Sequence, residues 1–360
     1  MEPKSTPSLN ILVAPLNWGL GHATRCIPVI KALQSEGFNP ILASDGAALE
    51  LLRKEFPKLQ SLELPSYNIS YPKNPVLLKW KMFISSPHIL SSVTSEKKLV
   101  SKWVKEYNLS GIISDNRFGV YNKSVPSVYI THQLNVLSGT TTWLTSKIHR
   151  FIIKRYDECW IPDVKGINNL SGNLGHPKKL MKSVKYIGLL SRFEKKSVPI
   201  KYDLMVLLSG PEPHRSLLEQ KLRQEISSFS GKILFVCGKL GEKQLVENLG
   251  NLTFYNYMLS DELQDAINSS EIILCRSGYS TIMDMATLQK KVFFIPTAGQ
   301  YEQQYLAEKL KQDGLVAFTS QKDFKIEDLV QTDLYRGLKK LRPDTALHDL
   351  FSLFKGKRKF

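Results

Sequence analysis

The 360-residue chain is 42% hydrophobic and 23% charged, a globular composition with apolar material for two cores, which excludes disordered and fibrous classes. Lys and Arg exceed Asp and Glu by 49 to 33, and the net charge of +16 calls for an anionic partner; without an RNP-like aromatic strand, zinc finger or helix-turn-helix, nucleic acid is not expected. The four cysteines, Cys26, Cys159, Cys237 and Cys275, include no C-x-x-C pair, so neither a zinc site nor a disulfide framework is expected and a reducing cytoplasm fits.

The polar start Met1 to Thr6 has no signal-peptide core, and no run approaches the roughly 18 apolar residues of a spanning helix. The expectation is a cytoplasmic protein, with peripheral attachment to the inner face of the plasma membrane as its route to anionic lipid. The first apolar run, 10–15, reads as a buried strand. It runs into Trp18-Gly19-Leu20-Gly21-His22-Ala23-Thr24-Arg25-Cys26. Gly19 and Gly21 allow positive φ and a close backbone approach to a ligand, and such a loop lies at the carboxyl edge of an open α/β sheet. His22 is therefore the first candidate general base. Thr24 holds the third position of a dinucleotide fingerprint, so the motif is not that one. A plain strand-helix turn, with His22 capping the helix, explains it equally.

Further strands are expected at 40–44, 111–114 and 127–131, with weaker ones near 61–64 and 157–160. Asp115, Asn116 and Arg117 follow one strand and His132 follows the next, facing one crevice if the sheet is parallel. Asp115 either orients His22, binds an acceptor, or pairs with Arg117 in the loop; His132 reads as a structural loop histidine. Segments 76–84 and 143–155 mix aromatic, aliphatic and basic residues at helical spacing. They fit either an anionic membrane surface or core-facing helices with solvated charges.

The charged segment 187–199, glycine-started and proline-ended, reads as a linker and sets the main cleft there. Strands restart at 202–208, 232–237, 252–255, 271–275 and 291–296. The alternation predicts two Rossmann-like, doubly wound parallel α/β domains, 1–190 and 191–343. A last helix at about 344–354 is expected to return to the first domain, ahead of a basic tail reaching 360.

After the first strand of the second half, Ser209, Gly210 and Arg215 either reach phosphates or form a solvent loop. The strongest motif is Arg276-Ser277-Gly278-Tyr279-Ser280-Thr281-Ile282-Met283-Asp284, followed by the loop from Pro296 to Gln304. A helix starting near Ser280 offers unpaired N–H groups and a dipole suited to a diphosphate. Asp284 either accepts from both hydroxyls of a ribose or answers Thr281 in a capping box. Gln303 and Gln304 have the donors and acceptors to grip sugar hydroxyls.

These motifs together resemble GT-B glycosyltransferases of the group that contains the peptidoglycan lipid-intermediate N-acetylglucosaminyltransferase and the diacylglycerol galactosyl- and glucosyltransferases, with a family 28-like C-terminal domain. The resemblance is best over 270–306 and implies a central cleft between the two domains. It implies a nucleotide-sugar donor, most simply a UDP-sugar, as substrate with no cofactor and no metal, and a lipid-linked or saccharide acceptor. Carried over residue by residue, Ser277, Gly278 and Thr281 form the donor turn with Arg276 and Ser280 beside them. Asp284 sits at the ribose where the family usually has Glu, Gln303 and Gln304 at the sugar, and main-chain groups near Tyr257 and Met258 at the base. Gly19, Gly21 and His22 match the front loop, which implies that His22 works near the acceptor hydroxyl, with Arg25, Asn116, Arg117 and His132 around it. The phrase Gly21-His22-x-x-Arg25-Cys26 also resembles the UDP-sugar hydrolase of pseudaminic acid biosynthesis, whose histidine activates water. Hydrolysis, and nucleotide-sugar or anionic-lipid binding without catalysis, are the alternatives.

Overall fold

Strand order, more than any single motif, decides which loops meet. In the computed structural model, which describes residues 9–68, 78–341 and 346–356, the first half runs β1 (Asn10–Pro15), α1 (Gly21–Ser35), β2 (Asn39–Ser44), α2 (Gly46–Glu55), β3 (Ser61–Glu63), α3 (Leu78–Glu106), β4 (Leu109–Asp115), β5 (Ser127–Ile130), α4 (Thr142–Ile153), β6 (Glu158–Ile161) and β7 (Val184–Tyr186). These seven strands form one parallel sheet in the order β3-β2-β1-β4-β5-β6-β7. Helices cover both faces, so the strands are continuous apolar runs: Ile11, Leu12, Val13 and Ala14 of β1 are fully buried. On α1, Ala23, Ile27, Ile30 and Leu33 recur at helical spacing, and that stripe is buried with Cys26.

The second half repeats the plan with β8 (Tyr202–Leu207), α5 (His214–Glu225), β9 (Ile233–Val236), β10 (Val246–Leu249), β11 (Leu252–Tyr255), α6 (Ser260–Asn268), β12 (Ser270–Cys275), α7 (Tyr279–Leu288), β13 (Lys291–Phe294), α8 (Tyr301–Gln312) and β14 (Ala317–Phe318). Its order is β10-β11-β9-β8-β12-β13-β14, parallel throughout except for the β10–β11 hairpin. The doubly wound two-sheet architecture is the one expected from the sequence. Each chain path turns back at its first strand, so the crevices open beside β1 and β4 in one sheet and beside β8 and β12 in the other. The largest apolar cluster draws on both halves, joining Ile27 and Trp160 to Tyr279 and Met283.

Several elements differ from the sequence reading. β7, β10 and β14 were not expected; they are two to four residues long, too short to carry a strand pattern. The helix expected at 76–84 is the opening of the 29-residue α3, and 76 and 77 lie outside the described residues. In place of one helix over 344–354 there are two turns, α9 (Leu347–Leu350) and α10 (Ser352–Lys355), broken at Phe351; 344, 345 and 357–360 lie outside the described residues. These turns sit on the first sheet. Phe351 and Phe354 meet Phe38 edge-on, with ring centroids 5.9 and 6.4 Å away. Gly111 makes this possible, because a Cβ there would lie 2.2 Å from the Phe354 ring.

Candidate active site

The pairing of β1 with β4 sets Pro15 beside Asp115, and so brings the loop after β1 against the end of β4. His22, in the first turn of α1, reaches Asp115 across 93 positions of sequence: Nδ1 lies 2.7 Å from Oδ1. Arg25, one turn further on, donates from both Nε and Nη2 to the two carboxylate oxygens. Burial alone would raise the Asp115 pKa, but Arg25 and then His22 pull it down to about 2. The group is a carboxylate that can only accept, so the facing Nδ1 carries the hydrogen. Arg25 Nη2, 2.8 Å from the same Nδ1, has its own acceptor in Oδ1. The imidazole therefore keeps its lone pair on Nε2, the arrangement a general base needs. Burial and then Arg25 lower the His22 pKa below its ordinary value. The loop salt bridge considered between Asp115 and Arg117 does not form.

Arg25 also points the other way, with Nη1 3.0 Å from His132 Nδ1. Arginine only donates, so His132 carries its hydrogen on Nε2, and that atom lies 2.7 Å from Glu302 Oε1 in the first turn of α8. Gln133 donates to the other oxygen of Glu302. The His132 ring stacks on Tyr279 of α7, with centroids 4.3 Å apart and planes 7° from parallel. The two glycine loops touch as well: Ser280 Oγ donates to the Gly21 carbonyl at 2.8 Å.

Between the halves lies a cavity of about 720 Å³. Its second-half wall includes Ser209, Gly210, Met258, Gly278, Ser280, Thr281, Asp284 and Gln303. Gly210 needs its positive φ of 111°, and the α7 N-terminus opens at Gly278 with no side-chain cap, leaving main-chain N–H groups free for a ligand. Asp284 does not close a capping box. It accepts from Ser191 Oγ at 2.6 Å, and burial raises its pKa to about 6 against the pull of Arg192.

Four predicted contacts turn away from this cavity. Arg276 donates to the carbonyls of Ile295, Pro296 and His214, binding loops together behind the site. Ser277 donates to the Gln303 carbonyl, and Gln304 faces a smaller hollow by Gly139 and Tyr305. Arg117 is fully buried between Asp45 and Glu96. The physical reason is the draw of acceptors beneath the sheet edge: carboxylates and main-chain carbonyls for Arg117, and carbonyls with the Gln321 side chain for Arg276, whose buried Nε is left unpaired. Gln303 lines the cavity but also braces its loop, accepting from Thr297 N–H at 2.8 Å. Arg215 pairs with Glu212 and Glu219.

On the first-half side, Gly19, Gly21, His22, Arg25, Asn116 and His132 all line the cavity. Gly19 and Asn116 take positive φ, 80° and 58°. Beyond His22 the wall turns apolar, with Tyr67, Phe118, Val136, Ile148 and Ile152. Ile148 also lies on the outer face of α4, where Trp143, Leu144 and Phe151 are exposed; Lys147 and Arg155 lie over the Trp143 and Phe151 rings at 5.1 Å. Among the described residues no helix is long and apolar enough to cross a membrane, and no cluster of three His, Cys, Asp or Glu could hold a metal. Sequence reasoning missed Glu302, Gln133, Ser191 and Arg192. Only the acid in the first turn of a helix beside the Gln pair gave any signal.

Residues 214–347 match the glycosyltransferase family 28 C-terminal domain. A relative from Glaesserella parasuis, the UDP-N-acetylglucosamine--N-acetylmuramyl-(pentapeptide) pyrophosphoryl-undecaprenol N-acetylglucosamine transferase, is 24% identical over 327 residues, covering 86% of this chain and 85% of its own. In fold the chain is similar to Acinetobacter baumannii MurG, with a TM-score of 0.55 at 13% identity over 97% of this chain and 99% of that one. The structure of LpCGTa in complex with UDP gives a TM-score of 0.60 at 14% identity, covering 97% of this chain and all of the other.

Proposed function

We propose that this chain, which has the GT-B fold and matches the glycosyltransferase family 28 C-terminal domain over residues 214–347, moves a sugar from a UDP-sugar to a hydroxyl of a lipid-linked acceptor, with His22 as the base. The observation that carries the reading is the His22–Asp115 pair, buried at the cavity edge and facing the uncapped start of α7. His22 Nε2 takes the acceptor proton as the hydroxyl oxygen attacks the anomeric carbon, and Asp115 stabilises the imidazolium that forms. The departing diphosphate gathers negative charge. It meets the N–H groups and positive dipole end at Gly278 to Thr281, with Ser209 and Gly210 alongside.

Asp284 accepts from the ribose hydroxyls in exchange for Ser191, and Gln303 faces the sugar. The relative's named reaction joins UDP-N-acetylglucosamine to a pyrophosphoryl-undecaprenol acceptor, which supports a UDP donor and a lipid-linked acceptor here. The apolar wall beyond His22 suits such an acceptor. Its continuity with the exposed basic-aromatic face of α4, through Ile148, supports delivery from an anionic membrane surface in the cytoplasm. The domain limits that follow are 1–190 for the acceptor side, 191–343 for the donor side and 344–360 for the returning segment.

Arg25, the residue that raised the hydrolase alternative, is held by Asp115 and His132 whichever molecule receives the sugar, and so does not favour water. Product analysis tests the proposal. UDP release that depends on an added lipid acceptor, with the sugar recovered on that lipid, supports transfer; equal release with free sugar as product overturns it.

A further inference from the structure

Five buried or half-buried side chains form one unbroken series from the candidate base to the opposite domain: His22, Asp115, Arg25, His132 and Glu302. Four of them belong to the first half of the chain. Glu302 alone comes from the second, on α8. The donors alternate in one sense only. Glu302 accepts the His132 Nε2 hydrogen, which leaves His132 Nδ1 as an acceptor for Arg25 Nη1; Arg25, fixed at that end, offers Nε and Nη2 to Asp115, whose Oδ1 takes the His22 Nδ1 hydrogen.

We propose that Glu302 is a positioning residue for the base, acting across the domain interface through His132 and Arg25, so that the second domain completes the network in which Arg25 and Asp115 hold His22 in its reactive tautomer. Glu302 does not touch His22 itself. Its two oxygens serve His132 and Gln133, and its pKa lies below the ordinary carboxylate value: burial opposes this, but the pull of His132, which donates to it, and of the groups beyond it as far as Arg25 outweighs burial. Withdrawing Glu302 frees His132 to move its hydrogen to Nδ1. That hydrogen then meets the Arg25 guanidinium donor to donor, and Arg25 must shift from Asp115 or from His132. A half-made polar network is worse than a complete one, so the change reaches His22.

The groups that face this series are few. His22 and Arg25 stand on α1, as does Cys26, whose thiol lies 3.7 Å from Asp115 Oδ2; Asp115 ends β4, and His132 and Gln133 follow β5. Tyr279 on α7 stacks on His132, and Glu302 stands on α8. The proposal rests on His22 being the base, so its test includes a readout that does not need activity. Protein labelled with ¹⁵N-histidine is compared as wild type, E302Q and E302A, each first shown to fold by its melting curve. In the wild type His22 should appear as the Nδ1–H tautomer and His132 as the Nε2–H tautomer. E302A should bring mixed tautomers at both histidines, with E302Q between, because an amide oxygen still accepts one hydrogen.

In steady-state assays, E302A should lower kcat by about tenfold or more with the donor KM changed less than about threefold, and the acid limb of the pH profile should move. A folded E302A with wild-type tautomers at His22 overturns the positioning role, whatever its activity. A shifted tautomer at His22 with unchanged turnover overturns the base assignment and leaves the network intact.

Discussion

The hydroxyl of Ser280, at the start of α7, donates to the carbonyl of Gly21, at the start of α1, across 2.8 Å. One bond thus joins the glycine loop beside the candidate base to the helix start proposed to face the diphosphate. The contact is close, since a Cβ on Gly21 would lie 3.0 Å from the Ser280 oxygen. Ser280→Ala removes a neutral hydrogen bond worth about 1 kcal/mol and leaves a carbonyl to find water. UDP affinity by calorimetry should fall by roughly fivefold, with little change in melting temperature. Gly21→Ala should act in the same direction, and the two changes together should be less than additive because they strike one contact.

Asp115→Asn separates orientation from packing. Asn keeps the shape but leaves the buried Arg25 guanidinium without a counter-charge, at a cost of about 3 kcal/mol. The Asp115 pKa is depressed to about 2, so its stabilising contribution is present above its ordinary value of 3.8 and is lost as pH falls through 2. Chemical denaturation should therefore show the gap between variant and wild type at pH 7 and see it close toward pH 2. Turnover should fall by about 10²-fold or more at neutral pH, since the amide can present the wrong hydrogen-bonding partner to Nδ1.

Asp284 carries the opposite sign. Its pKa is raised to about 6 by burial, so the protonated form is favoured by folding: that contribution is present below pH 3.8 and is lost as pH rises through 6. Asp284→Asn keeps an acceptor for Ser191 and removes the buried charge. The variant should be more stable than the wild type by roughly 1–3 kcal/mol at pH 7 and no different near pH 3.5, as read by denaturant midpoints. UDP-sugar affinity should fall by about tenfold at pH 7 if the carboxylate grips ribose. Unchanged affinity would leave Asp284 as the partner of Ser191 alone.

The outer face of α4 tests the route to the acceptor. Trp143 and Phe151 are 69% and 62% exposed, each with a basic side chain over its ring. Flotation with anionic vesicles at low salt should carry the wild type upward, weaken as salt rises, and fail for Trp143→Ala/Phe151→Ala. A wild type that stays in solution would favour a soluble acceptor.

The sequence was most legible where residues stand at strand ends. His22 and Asp115 could be placed at one crevice because parallel strands end on one edge, and the β1–β4 pairing supplied the contact. What local pattern could not show is where a long side chain turns. Arg276 and Arg117 each follow a strand, as a ligand-binding arginine would, yet both fold under the sheet edge to carbonyl or carboxylate acceptors. Arg25 read as a mark of one enzyme type and proves to be the clamp on Asp115. The role of Glu302 could not be read for a different reason: its partner, His132, lies 170 positions away and on the other domain. The short β10 and β14 escaped notice because a two- to four-residue strand has too few positions to show a period.

The central claim is that His22 is the base, and the most direct measurement is the pH dependence of kcat/KM for the wild type and His22→Ala, alongside UDP binding by calorimetry. Burial and Arg25 lower the His22 pKa, so the wild-type profile should lose activity along an acid limb below pH 6.5. His22→Ala should bind UDP and fold as the wild type does, turn over about 10²–10⁴-fold more slowly, and lack that limb. A variant with near-normal turnover, or one that keeps the same acid limb, would contradict the account.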